Sequence, residues 1–133
     1  MNANFNRLGN CHNIYQGKAK KVLCVCSAGL LRSPTAANIL HREYGYNTRA
    51  CGVVEKFALV VLDEVLLEWA DEVVFMDAEH EREAREKYPN KLKEKVVFVL
   101  NVPDRYEYMD EELQSIILKY FKDGINLYEY TYI

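Results

Sequence analysis

The chain has 133 residues and a mass of 15.5 kDa, with 50% hydrophobic and 28% charged residues. A chain of this length and composition reads as one globular domain that can close a core without disulfides or a metal. Lys and Arg number 17 against 20 Asp and Glu, a formal charge of −3, which argues against a general nucleic-acid or membrane binder and leaves room only for a local basic site.

Residues 1–20 are Asn- and Gly-rich and weakly periodic, so they read as an N-terminal extension to a single domain over 21–133. Met1 to Gln16 lacks the apolar core of a signal peptide, and no apolar run reaches the roughly 18 residues of a membrane-spanning helix. The expected location is therefore the cytoplasm. The four cysteines, Cys11, Cys24, Cys26 and Cys51, are expected to be reduced there.

Lys21 to Cys26 is a short apolar run of the kind that forms a strand buried on both faces. Ser33-Pro34 then opens a helix, with Ser33 as its cap and Pro34 at its first position. Ala36, Ala37, Leu40 and Tyr44 follow at helical spacing until Gly45. Asn47 to Val53 reads as a second strand and Leu59–Trp69 as a helix. Glu72 to Met76 is a third strand. Ala78 to Tyr88 is a charged surface helix stopped by Pro89, and Glu79–Lys87 reads as its solvated face. Lys95 to Leu100 is a fourth strand. Pro103 makes 102–106 a loop, and Asp110 to Phe121 is a last helix with Gly124 beyond it. Strands alternating with helices imply an α/β fold whose parallel sheet is covered on both faces. Its ligand belongs beyond the C-terminal ends of the strands, so the junctions to inspect are 26–33, 51–57, 76–80 and 101–109.

The first junction reads Cys26-Ser-Ala-Gly-Leu-Leu-Arg32-Ser33-Pro34. A loop of this length closing onto a helix N-terminus turns backbone N–H groups inward, and such a nest binds a tetrahedral oxyanion. Ser27, Ala28, Gly29, Leu30 and Leu31 would supply that nest. Arg32 would clamp two oxygens with its planar fork. The same positive field makes a Cys26 thiolate available near neutral pH, and a thiolate under a bound phosphate is set for in-line attack on phosphorus. Ser33 can donate a hydrogen bond to the sulfur when sulfur must leave again.

Cys26 to Pro34 resembles the phosphate-binding loop of low-molecular-weight protein tyrosine phosphatases, which carry Cys-x5-Arg-Ser-Pro after the first strand. Trp69-Ala-Asp-Glu-Val-Val-Phe-Met-Asp77 is similar to the family's third strand, and Val102 to Tyr106 falls where the family has its Asp-Pro-Tyr acid loop. The similarity spans roughly residues 21–121, and is greatest to the subgroup described as predicted protein tyrosine phosphatases. It implies a three-layer αβα fold with a four-stranded parallel sheet of order 2-1-3-4. It also implies a phosphocysteine intermediate on Cys26, with Asp104 as general acid and then base. Tyr106 and Tyr108 would form a wall for an aryl ring. No metal or other cofactor is implied, and Cys11-His12 has no second pair at zinc spacing.

Four positions depart from the family pattern. Gly29 stands where the family has an Asn that supports a left-handed backbone, and Ala50 stands where it has that Asn's serine partner. Gly reaches positive φ unaided, so the loop shape can survive. Leu31 replaces a cysteine, so the family's vicinal disulfide cannot form. Arg105 occupies a proline position in the acid loop. Cys24 and Cys51 read as buried fillers, His41 as a surface histidine, and Asp110 as a helix cap. The expected partner is a phosphorylated protein or a small aryl phosphate, with phosphate or sulfate able to sit in the 26–32 loop. The alternatives are a phosphotyrosine-binding or phosphocysteine-carrier module and, below these, an arsenate reductase, which needs resolving cysteines that residues 77–100 lack.

Overall fold

A computed structural model describes residues 19–132, with side chains through Glu129. The segment 1–18, with Cys11 and His12, lies outside the described residues. The elements run β1 (Lys21–Cys26), α1 (Arg32–Tyr44), β2 (Asn47–Gly52), α2 (Glu64–Trp69), β3 (Glu72–Phe75), α3 (Ala78–Lys87), β4 (Val96–Val99) and α4 (Glu111–Tyr132).

All strand pairs are parallel, and the sheet order is β2-β1-β3-β4. Strand alternation sends Val22, Cys24 and Cys26 to one face, where α1 and α4 cover them with Ala36, Leu40, Leu113, Ile117 and Phe121. Leu23 and Val25 go to the other face, against Leu66 and Leu67 of α2 and Ala84 of α3. This is the three-layer αβα arrangement. β1 is interior to the sheet, and this explains why its sequence is an unbroken apolar run.

The helix boundaries differ from the periodicity in three places. α1 starts at Arg32, with Leu31 in the cap position and no side chain capping it. Ser33 does not cap because its hydroxyl is engaged by Cys26 and by the Cys51 carbonyl. α2 begins at Glu64 rather than near Leu59. Residues 60–62 are committed to β2: Gly52 donates to the Val60 carbonyl and Leu62 to the Gly52 carbonyl, each at 2.9 Å. Asp63 then caps the helix by accepting the Leu66 N–H at 3.0 Å. α4 runs through Gly124, because that residue faces Phe98, whose ring would lie 3.1 Å from an added Cβ. Among the described residues, no helix is long and apolar enough to cross a membrane.

Candidate active site

Cys26 is the last residue of β1 and is buried. Its Sγ accepts the Gly29 N–H at 3.1 Å and lies 3.1 Å from Ser33 Oγ. Ser33 Oγ is also 3.2 Å from the Cys51 carbonyl oxygen. A hydroxyl has one hydrogen. With Cys26 as a thiol, Ser33 can donate to Cys51 and accept from sulfur; with a thiolate, the hydroxyl can turn to the sulfur.

The loop from Ser27 to Leu31 lies against the C-terminal end of β2. Val53 and Val54 donate to the carbonyls of Cys26 and Ser27, both at 3.0 Å. The approach is backbone to backbone, and two glycines make it possible. Gly29 has φ +71°, and a Cβ there would stand 2.8 Å from the Cys51 carbonyl carbon. A Cβ on Gly52 would stand 2.5 Å from Ser27 O. The uncapped N-terminus of α1 follows directly, so the loop closes onto the positive end of a helix dipole.

Arg32 is buried, and each nitrogen of its fork has a partner. Nη1 donates to the Val102 carbonyl at 3.1 Å, Nη2 to Ser27 Oγ at 3.5 Å, and Nε pairs with Asp104 Oδ1 at 3.4 Å. The arginine thereby ties the first junction to the fourth. Asp104 is 64% exposed. Cys26, Ser27, Ala28, Leu30, Leu31, Arg32 and Asp104 together line one cleft of about 230 Å³.

Left-handed residues, Asn101 (φ 57°) and Met109 (φ 61°), bracket the loop that carries Asp104. Met109 N–H is held by Thr35 Oγ1 of α1 at 2.9 Å. Asp110 accepts the N–H groups of Glu112 and Leu113 at 2.9 and 3.3 Å, so it is engaged as the cap of α4.

The two tyrosines expected as a wall are placed differently from one another. Tyr106 is only 6% exposed and belongs to the core beneath α1 and α4. Arg105 covers it, with the guanidinium 5.2 Å from the ring centre and Nη2 donating to the phenol oxygen at 2.9 Å. Tyr108 is 51% exposed, but it lines a neighbouring pocket of about 220 Å³ with Gly29, Pro34, Ala50 and Leu59. Residues that bury Tyr106 are contributed by elements far apart in sequence, so the loop segment itself carries no sign of it. Gly29 and Ala50 lie together in that pocket.

His80 is a site neighbour that the charge pattern hides. Within the run that reads as a solvated face, His80 and Ala84 are buried. His80 Nε2 lies 3.0 Å from Ser27 Oγ. The available signal was the helical spacing of His80 and Ala84, i and i+4 on one face. Cys24 and Cys51 are fully buried. Burial, with smaller contributions from Cys26 and Cys24, pushes the Cys51 thiol well above its ordinary pKa. His41 Nδ1 is 2.8 Å from the Tyr46 carbonyl oxygen at the end of α1.

No family model and no curated protein matches the sequence. Solved structures do match in three dimensions. A low-molecular-weight phosphotyrosine phosphatase from Vibrio cholerae O395 aligns with TM-score 0.59 at 22% identity, covering 84% of this chain and 95% of that one. The chain has the low-molecular-weight phosphatase fold. The YwlE arginine phosphatase from Geobacillus stearothermophilus aligns with TM-score 0.58 at 18% identity, over 86% of this chain and 97% of that one. Wzb from Vibrio vulnificus, solved with benzylphosphonate, aligns with TM-score 0.60 at 17% identity, over 83% and 97%.

Proposed function

We propose that this chain is a cysteine-dependent phosphomonoesterase acting on aryl phosphates, phosphotyrosine in proteins above all. The observation that carries the reading is the convergence of Cys26, Arg32 and Asp104, from two distant junctions, on one cleft. The Cys26 thiolate attacks phosphorus while Arg32 and the 27–31 backbone hold the non-bridging oxygens. The bond from phosphorus to the leaving oxygen breaks, and Asp104 gives that oxygen its proton. Water then attacks the phosphocysteine, Asp104 takes the water proton, and the P–S bond breaks to release inorganic phosphate. Ser33 donates to the departing thiolate.

The aryl preference is supported by Leu30 and Leu31, large exposed apolar residues on the rim, and by the benzylphosphonate bound by Wzb. The carrier alternative needs a phosphocysteine that persists, and an acid facing the same cleft works against that. We place the reaction in the cytoplasm, performed by residues 21–133.

The test is turnover of p-nitrophenyl phosphate in EDTA by wild type, Cys26→Ser and Asp104→Asn. Cys26→Ser should remove activity, and Asp104→Asn should lower kcat by about 10²–10³. Turnover that survives Cys26→Ser refutes the mechanism. A stable phosphorylated Cys26 without hydrolysis would replace it with the carrier reading.

A further inference from the structure

His80 reaches the phosphate loop from α3, the helix on the opposite face of the sheet from α1. The residue is 5% exposed, and Nδ1 has no hydrogen-bond partner among the described residues. Among the described residues, the ring's one polar contact is Ser27, the residue directly after Cys26, at 3.0 Å. The same Ser27 oxygen lies 3.5 Å from Arg32 Nη2. Ser27 is therefore the joint between a buried imidazole and the arginine of the cleft.

We propose that His80 is a positioning residue of the phosphate loop, holding Arg32 through Ser27 and setting where the Ser27 hydroxyl hydrogen points. This rests on the phosphatase reading and adds a residue to it. Arg32 can only donate, so Ser27 must accept from it; Ser27 has one hydrogen of its own to place. When the imidazole proton sits on Nδ1, Nε2 accepts that hydrogen and the hydroxyl turns away from the cleft. When Nε2 carries a proton, Ser27 accepts from both neighbours, and its hydrogen is free for an anion oxygen above Cys26. The imidazolium always has the second arrangement.

The groups around His80 decide when it charges. Burial lowers its pKa from the ordinary histidine value, and Arg32 on α1 adds to this. Asp77 and Glu79 at the start of α3, and Asp104 on the 101–109 loop, pull the other way. The ring is thus neutral at neutral pH. An anion that neutralises Arg32 removes a positive charge that opposes protonation, so anion binding and His80 protonation favour each other by linkage.

The test uses two readouts. The first is a double-mutant cycle on p-nitrophenyl phosphate turnover at pH 7. His80→Ala and Ser27→Ala should each lower kcat about tenfold, the scale of one lost orienting hydrogen bond, and the double variant should be no worse than either. His80→Gln, which keeps a donor near Ser27, should recover to within about threefold of wild type. The second readout is sulfate affinity by calorimetry between pH 5 and 8, using Cys26→Ser to remove the thiolate from the titration. Sulfate stays a dianion throughout. As pH falls, affinity should rise at least about threefold more in Cys26→Ser than in Cys26→Ser/His80→Gln.

Multiplicative losses in the cycle, or parallel sulfate curves, would overturn the role of His80 even with wild-type turnover intact. A wild type that neither turns over substrate nor binds sulfate would instead overturn the phosphatase reading and this one together. Should His80→Ala fail to fold, the Gln variant alone decides through the sulfate curves.

Discussion

Asn is the residue that the family resemblance expects at position 29, yet Gly29→Asn should damage this protein. A Cβ at this position would stand 2.8 Å from the Cys51 carbonyl carbon and 2.9 Å from the Gly52 nitrogen. Relaxed contacts between carbon atoms lie near 3.5–4.0 Å. Both neighbours are backbone of the β2 end, so no rotamer change relieves the overlap, and the loop must move by several tenths of an ångström. Overpacking of this kind costs about 1–3 kcal/mol. At φ +71° an Ala adds about 1–2 kcal/mol of left-handed strain, and Asn less because it tolerates that region. The expected losses are then about 2 kcal/mol for Gly29→Asn and about 3 kcal/mol for Gly29→Ala, against a total stability of about 5–15 kcal/mol for an ordinary domain. Urea denaturation gives the stabilities, and sulfate calorimetry reports the loop, where affinity should drop with the shift of the 27–31 amides. If Gly29→Asn matches wild type within about 0.5 kcal/mol and binds sulfate equally well, the backbone contact between loop and β2 is not what selects glycine here.

Further expectations follow from the site's surroundings. His80 has a lower pKa folded than the roughly 6.5 of the unfolded chain. The unfolded state therefore binds more protons, and stability is lost as pH falls below about 6.5. The wild-type urea midpoint should accordingly fall between pH 6.5 and 5 by more than that of His80→Gln, and equal slopes would refute this. Tyr106→Ala should cost about 3–5 kcal/mol, as other aromatic core truncations do, and Tyr108→Ala about 0.5 kcal/mol or less. A stable Tyr106→Ala variant altered only in KM would restore the wall reading. In the native protein, peptide mapping after iodoacetamide at pH 7.5 should find Cys26 modified and protected by sulfate, with Cys24 and Cys51 untouched; modification of Cys51 ahead of Cys26 would contradict its burial. With Leu31 in place of a second loop cysteine, peroxide should carry Cys26 to sulfinic acid, read by mass, and any disulfide-protected fraction would count against this.

The chemistry-bearing loop was legible because it is local. Cys26, Gly29, Arg32 and Ser33 lie within one strand–loop–helix unit, and short-range geometry alone brings them together. The strands were legible for a similar reason: a strand covered on both faces must be apolar throughout, as Lys21–Cys26 is. Boundaries set by competition between partners were not. Ser33 could cap a helix or bond a thiol, and only the nearness of Cys26 and Cys51 selects the thiol. Residues 60–62 suit a helix by spacing, yet a bridge to β2 takes their backbone groups.

By itself, then, the sequence determined the α/β layering and the loop with its cysteine and arginine, and it singled out the aspartate proposed here as the acid. Tertiary structure decided which side chains from distant segments enter the cleft and which are withdrawn from it. Asp104 comes to Arg32 because the ends of parallel strands converge. Tyr106, two residues later, is drawn into the core and capped by Arg105. His80 turns inward from a charged helix to meet Ser27. The burial of a side chain depends on what the rest of the chain packs against it, and that information is not contained in any local stretch of residues.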